Sequence, residues 1–194
     1  KSCFGFSGLG HLFLEDADSI HTVLPFLEAE WERGRPCIAE PWVNRLFDFS
    51  TQWLITKEKS DLLGVTHFES SSRGRWQKTK IKPYADCPFV NEHVSFVQPV
   101  IDSIRKLGFF GYLGIDAMVY QYEKQTLLQP IVEINGRMTM SLVALLLAQQ
   151  LQKAEICLEY TANKNGLQLL PEYIPDAVGH SKRFKKQLRL FLLS

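Results

Sequence analysis

Apolar, β-branched and aromatic residues are concentrated in two neighbouring segments of the chain, residues 114–120 and 130–137. A short polar stretch, Glu123-Lys124-Gln125-Thr126, lies between them. Two segments of this composition on either side of a short polar turn are typical of paired strands. The pattern therefore predicts an antiparallel β-hairpin.

The register of this hairpin brings two carboxylates together. If the turn is symmetric about residues 124 and 125, Asp116 lies directly opposite Glu133, and Asn135 lies opposite Gly114 on the same face. Two unit charges about 4 Å apart repel by roughly 4 kcal/mol at an effective dielectric constant of about 20, so a cation between them is expected. Gly114 is expected to leave space for that cation and its ligand. Two carboxylates and an amide suit magnesium, which commonly also binds substrate phosphates; a strand pair with a merely solvated polar face is the alternative.

Two further features could contact phosphate groups. Arg137 follows the second strand, where a guanidinium can bind phosphate oxygens in a bidentate manner. At the start of the chain, Lys1 precedes glycines at Gly5, Gly8 and Gly10. Backbone N–H groups of such a loop can surround phosphate oxygens, although a glycine-rich turn that binds nothing is the alternative. The spacing is neither GxGxxG nor GK[ST], which argues against Rossmann and Walker A sites.

A stiff connector follows the first predicted strands. Glu40 ends an apolar segment and precedes Pro41, which lacks an N–H group and restricts its own φ angle. A connector of this kind exposes backbone groups that can recognise a purine. An ordinary strand-to-loop crossing is the alternative interpretation.

The remaining pattern predicts an α+β fold. Apolar residues at spacings of three and four predict helices, and β-branched segments predict strands. The predicted helices cover 16–33, with Asp16 or Asp18 as N-cap and a stop at Gly34, then 92–106, 139–152 and 181–193; the predicted strands cover 37–39, 49–56, parts of 64–82, and 156–160. We divide the chain into a small lobe (1–39), a larger lobe (40–160) and a C-terminal extension with a basic helix (161–194).

Composition narrows the classes of function. The chain has 194 residues, 45% hydrophobic and 22% charged, which is enough for a hydrophobic core. A net charge of +1 argues against a nucleic-acid partner, and no apolar segment is long enough to cross a membrane. The four cysteines lack zinc-site spacing and are interpreted as reduced thiols of a cytoplasmic protein, with an oxidised secreted form as the alternative. The chain begins without a methionine and is expected to be a fragment of a longer protein.

The order of these features resembles that of the ATP-grasp superfamily, and in particular the ATP-binding domain of glutathione synthetase. KSCFGFSGLGHL is similar to the lysine and flexible phosphate loop of the family, and AEPWV is similar to its adenine hinge. GYLGIDAMVY followed by PIVEINGRMTMSLV resembles its C-terminal metal-binding signature. The resemblance implies the ATP-grasp fold, with two α+β lobes, the small one truncated, and an ATP cleft between them.

The resemblance also implies cofactors and roles for individual residues. ATP and Mg²⁺ are the implied cofactors, with Mn²⁺ as a possible substitute. The implied metal ligands are Asp116, Glu133 and Asn135; the implied phosphate contacts are the catalytic Arg137, Lys1, Gly5, Gly8 and Gly10; the implied adenine contacts are Glu40, Trp42 and Val43, and the implied ribose contact is Asp48.

The activity that the resemblance implies is that of an ATP-dependent ligase forming carbon–nitrogen bonds. Such an enzyme activates a small-molecule carboxylate as an acyl phosphate, which an amine or a thiol then attacks. A non-catalytic nucleotide-binding or scaffold module is the alternative, and it is favoured by Gly114 and Ile115, which occupy the place of an arginine before the metal aspartate. The N-terminal lobe of the family, with its additional lysine, is also missing. We therefore expect this chain alone to be inactive and the missing lobe to be its partner; the oligomeric state stays open.

Overall fold

In a computed structural model of the protein, the described parts fall into two compact units. The first unit comprises residues 1–42 with 70–76, and the second comprises 43–69 with 77–194. The predicted lobe boundaries at residues 39 and 160 stay predictions. The structure describes residues 12, 14, 16–70, 76–81, 87–152, 156–161 and 187–192.

The first unit contains helix α1, Ile20–Glu32. Its N-cap is Ser19 instead of an aspartate, because Asp16 turns back before the helix and accepts a hydrogen bond from the Ser19 N–H through Oδ1 at 2.8 Å. Gly34 ends the helix at a φ angle of 66°, as predicted. Of the apolar positions predicted to face a core, Val23 is buried, whereas four others are exposed: Ile20, Leu24, Leu27 and Trp31.

The second unit is built around a sheet of seven strands in the order β5-β4-β1-β2-β3-β6-β7. The pairs β1–β2, β1–β4, β4–β5, β3–β6 and β6–β7 are antiparallel. The strands are β1 Asn44–Ile55, β2 Ser60–Ser70, β3 Trp76–Ile81, β4 Gly111–Tyr122, β5 Gln125–Asn135, β6 Ile156–Thr161 and β7 Gln187–Leu192.

Two helices lie on opposite faces of this sheet. Helix α2, Val90–Lys106, packs on the apolar face, where Val97 and Ile101 contact a cluster that includes Trp53 and Ile115. Helix α3, Met140–Gln150, packs against the other face. Because side chains alternate along β1, that strand directs apolar groups to α2 and polar groups to the α3 face. Among the described residues, no helix is long and apolar enough to cross a membrane.

The turn of the β4–β5 hairpin lies earlier in the chain than predicted. Tyr122 pairs with Gln125, so the turn consists of Glu123 and Lys124 alone. Glu123 has a φ angle of 52°, as two-residue hairpin turns require. The pairing next to this turn is therefore displaced by two residues from the predicted register.

A bulge on β5 compensates for this displacement. Met118 pairs with Gln129, and the next pair away from the turn is Asp116 with Glu133. One residue of β4 and three residues of β5 lie between these pairs, so β5 contains two extra residues. Pro130 lies in the extra segment, where a residue without an N–H group is tolerated. The predicted opposition of Asp116 and Glu133 is thus confirmed, although the predicted turn was wrong.

The C-terminal prediction needs correction. A strand, β7, occupies Gln187–Leu192, where a basic helix was expected over 181–193. Polar and apolar residues alternate in the sequence from 187 to 190, and β6 supplies a partner for the backbone hydrogen bonds. Residues 181–186 lie outside the described residues. The predicted strand at 37–39 is reduced to a single bridge residue, Cys37.

A buried histidine joins α2 to the sheet. His93 is fully buried, and its Nε2 lies 2.8 Å from the hydroxyl group of Thr51, which also accepts a hydrogen bond from Trp53 Nε1 at 2.9 Å. The ring of Phe49 packs edge-on against the imidazole at 5.1 Å. Burial lowers the pKa of His93 to about 4, although the backbone of Pro130 acts in the opposite direction. His93 therefore has a structural role in the packing of α2 on the sheet.

This low pKa predicts an acid-sensitive contribution to stability. The unfolded chain binds a proton at His93 below about pH 6.5, whereas the folded chain does so only near pH 4. The free energy of unfolding should therefore fall as pH decreases through this window, by up to about 3 kcal/mol more in the wild type than in His93→Gln. Urea denaturation at a series of pH values measures the difference. Parallel pH profiles of the two proteins would contradict the assignment.

Candidate metal centre

One row of side chains crosses four strands and contains both predicted carboxylate ligands. Thr66 on β2 pairs with Ser50 on β1, and Ser50 pairs in turn with Asp116 on β4. Asp116 pairs with Glu133 on β5. Paired residues present their side chains on one face, so the four groups lie in line. Ser50 Oγ donates a hydrogen bond of 2.6 Å to Asp116 Oδ1, which fixes one of the two carboxylates.

The third predicted ligand lies in the adjacent row. Gln52 on β1 pairs with Gly114 on β4, and Gly114 pairs with Asn135 on β5, as predicted. Asn135 is buried, and its Nδ2 donates a long hydrogen bond of 3.4 Å to Asp116 Oδ2. The structure thus places all three predicted metal ligands together on the α3 face of the sheet.

The space above Gly114 is not open, contrary to the expectation from sequence. A Cβ atom at this position would lie 2.8 Å from Thr139 Cγ2 and 3.1 Å from Gln52 Oε1. At Gly64, in the same row, a Cβ atom would lie 2.8 Å from the Leu145 methyl groups. Both glycines therefore serve the close approach of α3 to the sheet, and Gly114 does not provide clearance for a ligand.

A chain of hydrogen bonds connects this helix to Asp116. The Thr139 hydroxyl caps α3 by accepting from the Leu142 N–H at 3.0 Å, and it donates to Gln52 Oε1 at 2.7 Å. Gln52 Nε2 donates in turn to Ser50 Oγ at 2.7 Å. The sequence interpretation missed this chain. Its visible signal was a set of polar side chains at alternate positions of an otherwise apolar strand.

The electrostatics of Asp116 suit a bound cation. The pKa of Asp116 is raised to about 7, chiefly by burial; the charges of Glu133 and Asp48 act in the same direction, whereas the hydrogen bond from Ser50 and the charge of Arg137 oppose it. A nearby divalent cation would reverse this balance by favouring both ionised carboxylates. The donor set therefore fits a divalent cation on chemical grounds.

The number of ligands also fits a cation that shares its coordination with a substrate. Within the described ranges, no group of three or more His, Cys, Asp or Glu residues is placed to hold a metal ion. Two carboxylates and the Asn135 amide would leave several positions of an octahedral ion for phosphate oxygens and water, as magnesium sites commonly do.

The guanidinium group of Arg45, which the sequence analysis did not single out, lies next to this row. Arg45 Nη1 donates a hydrogen bond of 3.0 Å to Asp48 Oδ2, and its Nε lies 3.3 Å from Met118 Sδ. Simple alternation would place Arg45 and Asp48 on opposite faces, but the register of β1 shifts between Arg45 and Phe47. Burial raises the pKa of Asp48 to about 6, against the effect of Arg45. A ribose contact by Asp48 stays a prediction.

The other predicted site residues are less constrained by the structure. Arg137 is exposed directly after β5, with its Nη1 3.4 Å from the Met138 carbonyl oxygen. The predicted adenine contacts precede β1, with Glu40 and Trp42 exposed and Val43 half-buried. The chain passes from the first unit to the second between Trp42 and Val43. The roles of these residues stay predictions, and four predicted phosphate contacts lie outside the described residues: Lys1, Gly5, Gly8 and Gly10.

Comparisons with known proteins confirm the fold. No protein-family model matches the chain. A curated relative, the [butirosin acyl-carrier protein]–L-glutamate ligase of Niallia circulans, is 24% identical over 139 residues, which are 72% of this chain and 32% of the relative. The chain therefore spans about a third of the length of that protein.

Solved structures are similar over most of this chain. The N5-carboxyaminoimidazole synthetase of Staphylococcus aureus, complexed with ADP, superposes with a TM-score of 0.63 at 14% identity, over 82% of this chain and 44% of the other. The biotin carboxylase domain of the Hydrogenobacter thermophilus 2-oxoglutarate carboxylase, complexed with MgADP, ADP and bicarbonate, gives 0.60 at 11% identity, over 82% and 40%. Both are ATP-grasp proteins, so the chain has the α+β ATP-grasp fold.

The packing at Gly114 predicts the effect of a single added methyl group. Gly114→Ala should lower the free energy of unfolding by about 1–3 kcal/mol, because the new Cβ atom overlaps Thr139 Cγ2. Thr139→Ser removes that methyl group and keeps the helix cap. The double variant Gly114→Ala/Thr139→Ser should therefore recover part of the loss in urea denaturation. No recovery would indicate that Gly114 is constrained by something other than this contact.

Proposed function

We propose that the chain binds ATP together with Mg²⁺ and forms part of an ATP-dependent ligase that activates a carboxylate as an acyl phosphate for attack by an amine or a thiol. The observation that carries the proposal is the opposition of Asp116 and Glu133, next to Asn135, on one face of an ATP-grasp sheet. Solved structures of similar fold are complexes with ADP and MgADP. The curated relative is named as a ligase of L-glutamate and an acyl-carrier protein.

In this proposal the three side chains hold the cation, and the cation would neutralise phosphate charge and orient the phosphates when bound. Arg137 would contact phosphate oxygens by its guanidinium group, and Lys1 with the glycine loop would surround the triphosphate. The segment from Glu40 to Val43 would contact the adenine. Mn²⁺ has similar ligand preferences and could replace Mg²⁺.

The substrates and the rest of the protein are part of the proposal. A small-molecule carboxylate and an amine would meet at the γ-phosphate, and a lobe outside this chain would supply much of their binding site. The limited share of the relatives that this chain spans, 32% of the ligase and 44% of the synthetase, supports such a lobe. A cytoplasmic location is the compartment we propose for this chemistry.

The metal assignment is tested by removing one charge at constant shape. In Asp116→Asn, Ser50 keeps an acceptor, but the ligand charge facing Glu133 is lost. Loss of a residue that only hydrogen-bonds to a metal ligand commonly lowers metal affinity about 10- to 100-fold. Loss of a charged ligand itself should therefore reduce the Mg²⁺-dependent gain in ATP affinity by at least about tenfold. Calorimetric titration with ATP, in the presence of Mg²⁺ and of EDTA, measures that gain.

The matched control is Asp102→Asn. Asp102 is a carboxylate of α2, on the opposite face of the sheet, where it contacts Gln98 and Arg105. The Asp102→Asn variant should bind MgATP as the wild type does. Without metal, Asp116→Asn should be no less stable than the wild type, because the substitution removes a buried charge. Equal Mg²⁺ dependence in the wild type and Asp116→Asn would rule out the assigned metal ligands.

A nucleotide-binding module without turnover is the second candidate. Gly114 stands near the place of the family's arginine, and the space above it is filled by Thr139 and Gln52. No larger side chain can therefore occupy that position without repacking, which favours a site that binds without reacting.

The two candidates differ in acyl phosphate formation. The assay uses MgATP, a panel of amino-acid carboxylates including L-glutamate, and hydroxylamine, which converts an acyl phosphate into a hydroxamate. It is performed on the full-length gene product, because this chain alone is expected to be inactive. A ligase should release ADP and hydroxamate in equal amounts for at least one carboxylate, and Asp116→Asn should abolish both. Tight MgATP binding without ADP release would favour the non-catalytic module.

A further inference from the structure

We propose that Gln52 is a positioning residue of the candidate metal centre, which holds the Asp116 carboxylate through Ser50 and links it to the N-terminus of α3 through Thr139. The inference rests on the proposed function, because it assigns Gln52 to the metal site proposed there. Gln52 itself is 1% exposed and is separated from Asp116 by the Ser50 hydroxyl, so its effect on a ligand would be indirect.

The donor and acceptor of each hydrogen bond between α3 and Asp116 can be assigned by starting at the Leu142 N–H. The Leu142 N–H can only donate, so Thr139 Oγ1 accepts from it. Gln52 Oε1 can only accept, so the Thr139 proton is directed to it. The amide group of Gln52 then offers Nε2 to Ser50 Oγ, which leaves the Ser50 proton for Asp116 Oδ1. Each group therefore has one role, and the helix cap determines the orientation of the carboxylate.

The neighbours of Ser50 support this direction. Ser50 has Thr66 on one side of its row and Asp116 on the other. The Thr66 hydroxyl is fully buried and makes no hydrogen bond, so it does not compete for the Ser50 proton. The other acceptor near Ser50 Oγ, the carbonyl oxygen of Ile115, is more distant at 3.3 Å, compared with 2.6 Å for Asp116 Oδ1. The Ser50 hydroxyl is thus committed to the carboxylate.

Gln52 is buried and hydrogen-bonded at both ends of its amide group. It lies between Gly64 and Gly114 in its row, and these two residues allow α3 to approach the sheet. Thr139 and Leu145 then cover the row from above. A carboxylate held in one orientation before the cation arrives does not lose that freedom on binding, so the binding free energy is more favourable.

The test separates metal affinity from stability. In the full 194-residue chain saturated with ADP, Mg²⁺ affinity is measured by calorimetry, ADP affinity is measured in EDTA, and stability is measured by thermal unfolding. Gln52→Leu removes both ends of the amide at similar volume, and Ser50→Ala removes the final donor. Each should weaken Mg²⁺ binding about tenfold, as is usual when the support of a metal ligand is lost, and should leave the ADP affinity in EDTA within about twofold.

Two controls keep the result specific. Thr139→Val removes the hydroxyl and should weaken Mg²⁺ binding as Gln52→Leu does. Thr139→Ser keeps the hydroxyl and should bind Mg²⁺ as the wild type does. Thr51→Val removes a buried hydroxyl from the same strand on the opposite face, where it contacts His93 and Trp53. This variant should lose stability and keep the Mg²⁺ affinity of the wild type.

The outcomes are distinct for the two proposals. If the wild type shows Mg²⁺-dependent ADP binding that Asp116→Asn abolishes, and Gln52→Leu, Ser50→Ala and Thr139→Val all bind Mg²⁺ as the wild type does, the positioning role is overturned and the proposed function stands. The same holds if Thr51→Val weakens Mg²⁺ binding equally, because the effect then follows stability alone. If the wild type shows no Mg²⁺-dependent binding, both proposals fail.

Discussion

Repulsion between two carboxylates is the constraint around which the α3 face of the sheet is organised. Asp116 and Glu133 are held opposite each other by the backbone pairing of β4 and β5, and burial makes the charge of Asp116 still less favourable. The fold tolerates this arrangement because Ser50 donates a hydrogen bond to the carboxylate and because the apolar cluster beneath α2 stabilises β1 and β4. Stability sacrificed at one place in a structure is a common property of binding sites. A cation bound between Asp116 and Glu133 would offset the repulsion between their carboxylates.

The separation of the two faces explains how the sheet can accommodate this repulsion. Along β1, successive residues serve different tasks: Thr51 contacts the buried His93 of α2, while Ser50 and Gln52 belong to the series of hydrogen bonds beneath α3. The apolar face supplies the burial that holds β1 and β4 in register. On the α3 face, the side chains of Ser50 and Gln52 are ordered by directional hydrogen bonds.

Sequence patterns predicted most of the elements before residue 161 and the opposed carboxylates, but not the way in which they come together. The pairing of Asp116 with Glu133 was inferred from a symmetric turn, whereas the real turn lies earlier and a bulge beside Pro130 compensates. Local composition indicates that two strands pair, but bulges depend on packing across the sheet. The same limit applies to Arg45, which a register shift brings to the side of Asp48. Gly114 was predicted to leave space for a ligand, which was wrong, because its role is the close approach of a helix that sequence spacing alone cannot place.

The bulge on β5 has a consequence for association between molecules. In the described sheet β5 is the outermost strand next to β4, and its free edge presents backbone groups that another strand could pair with. Two extra residues and a proline interrupt the regular hydrogen-bonding pattern of that edge close to Glu133. Strand addition from a second molecule, which would cover or distort the carboxylate pair, is thereby disfavoured. The irregularity that sets the register of the site is thus also a feature that disfavours pairing at a strand edge.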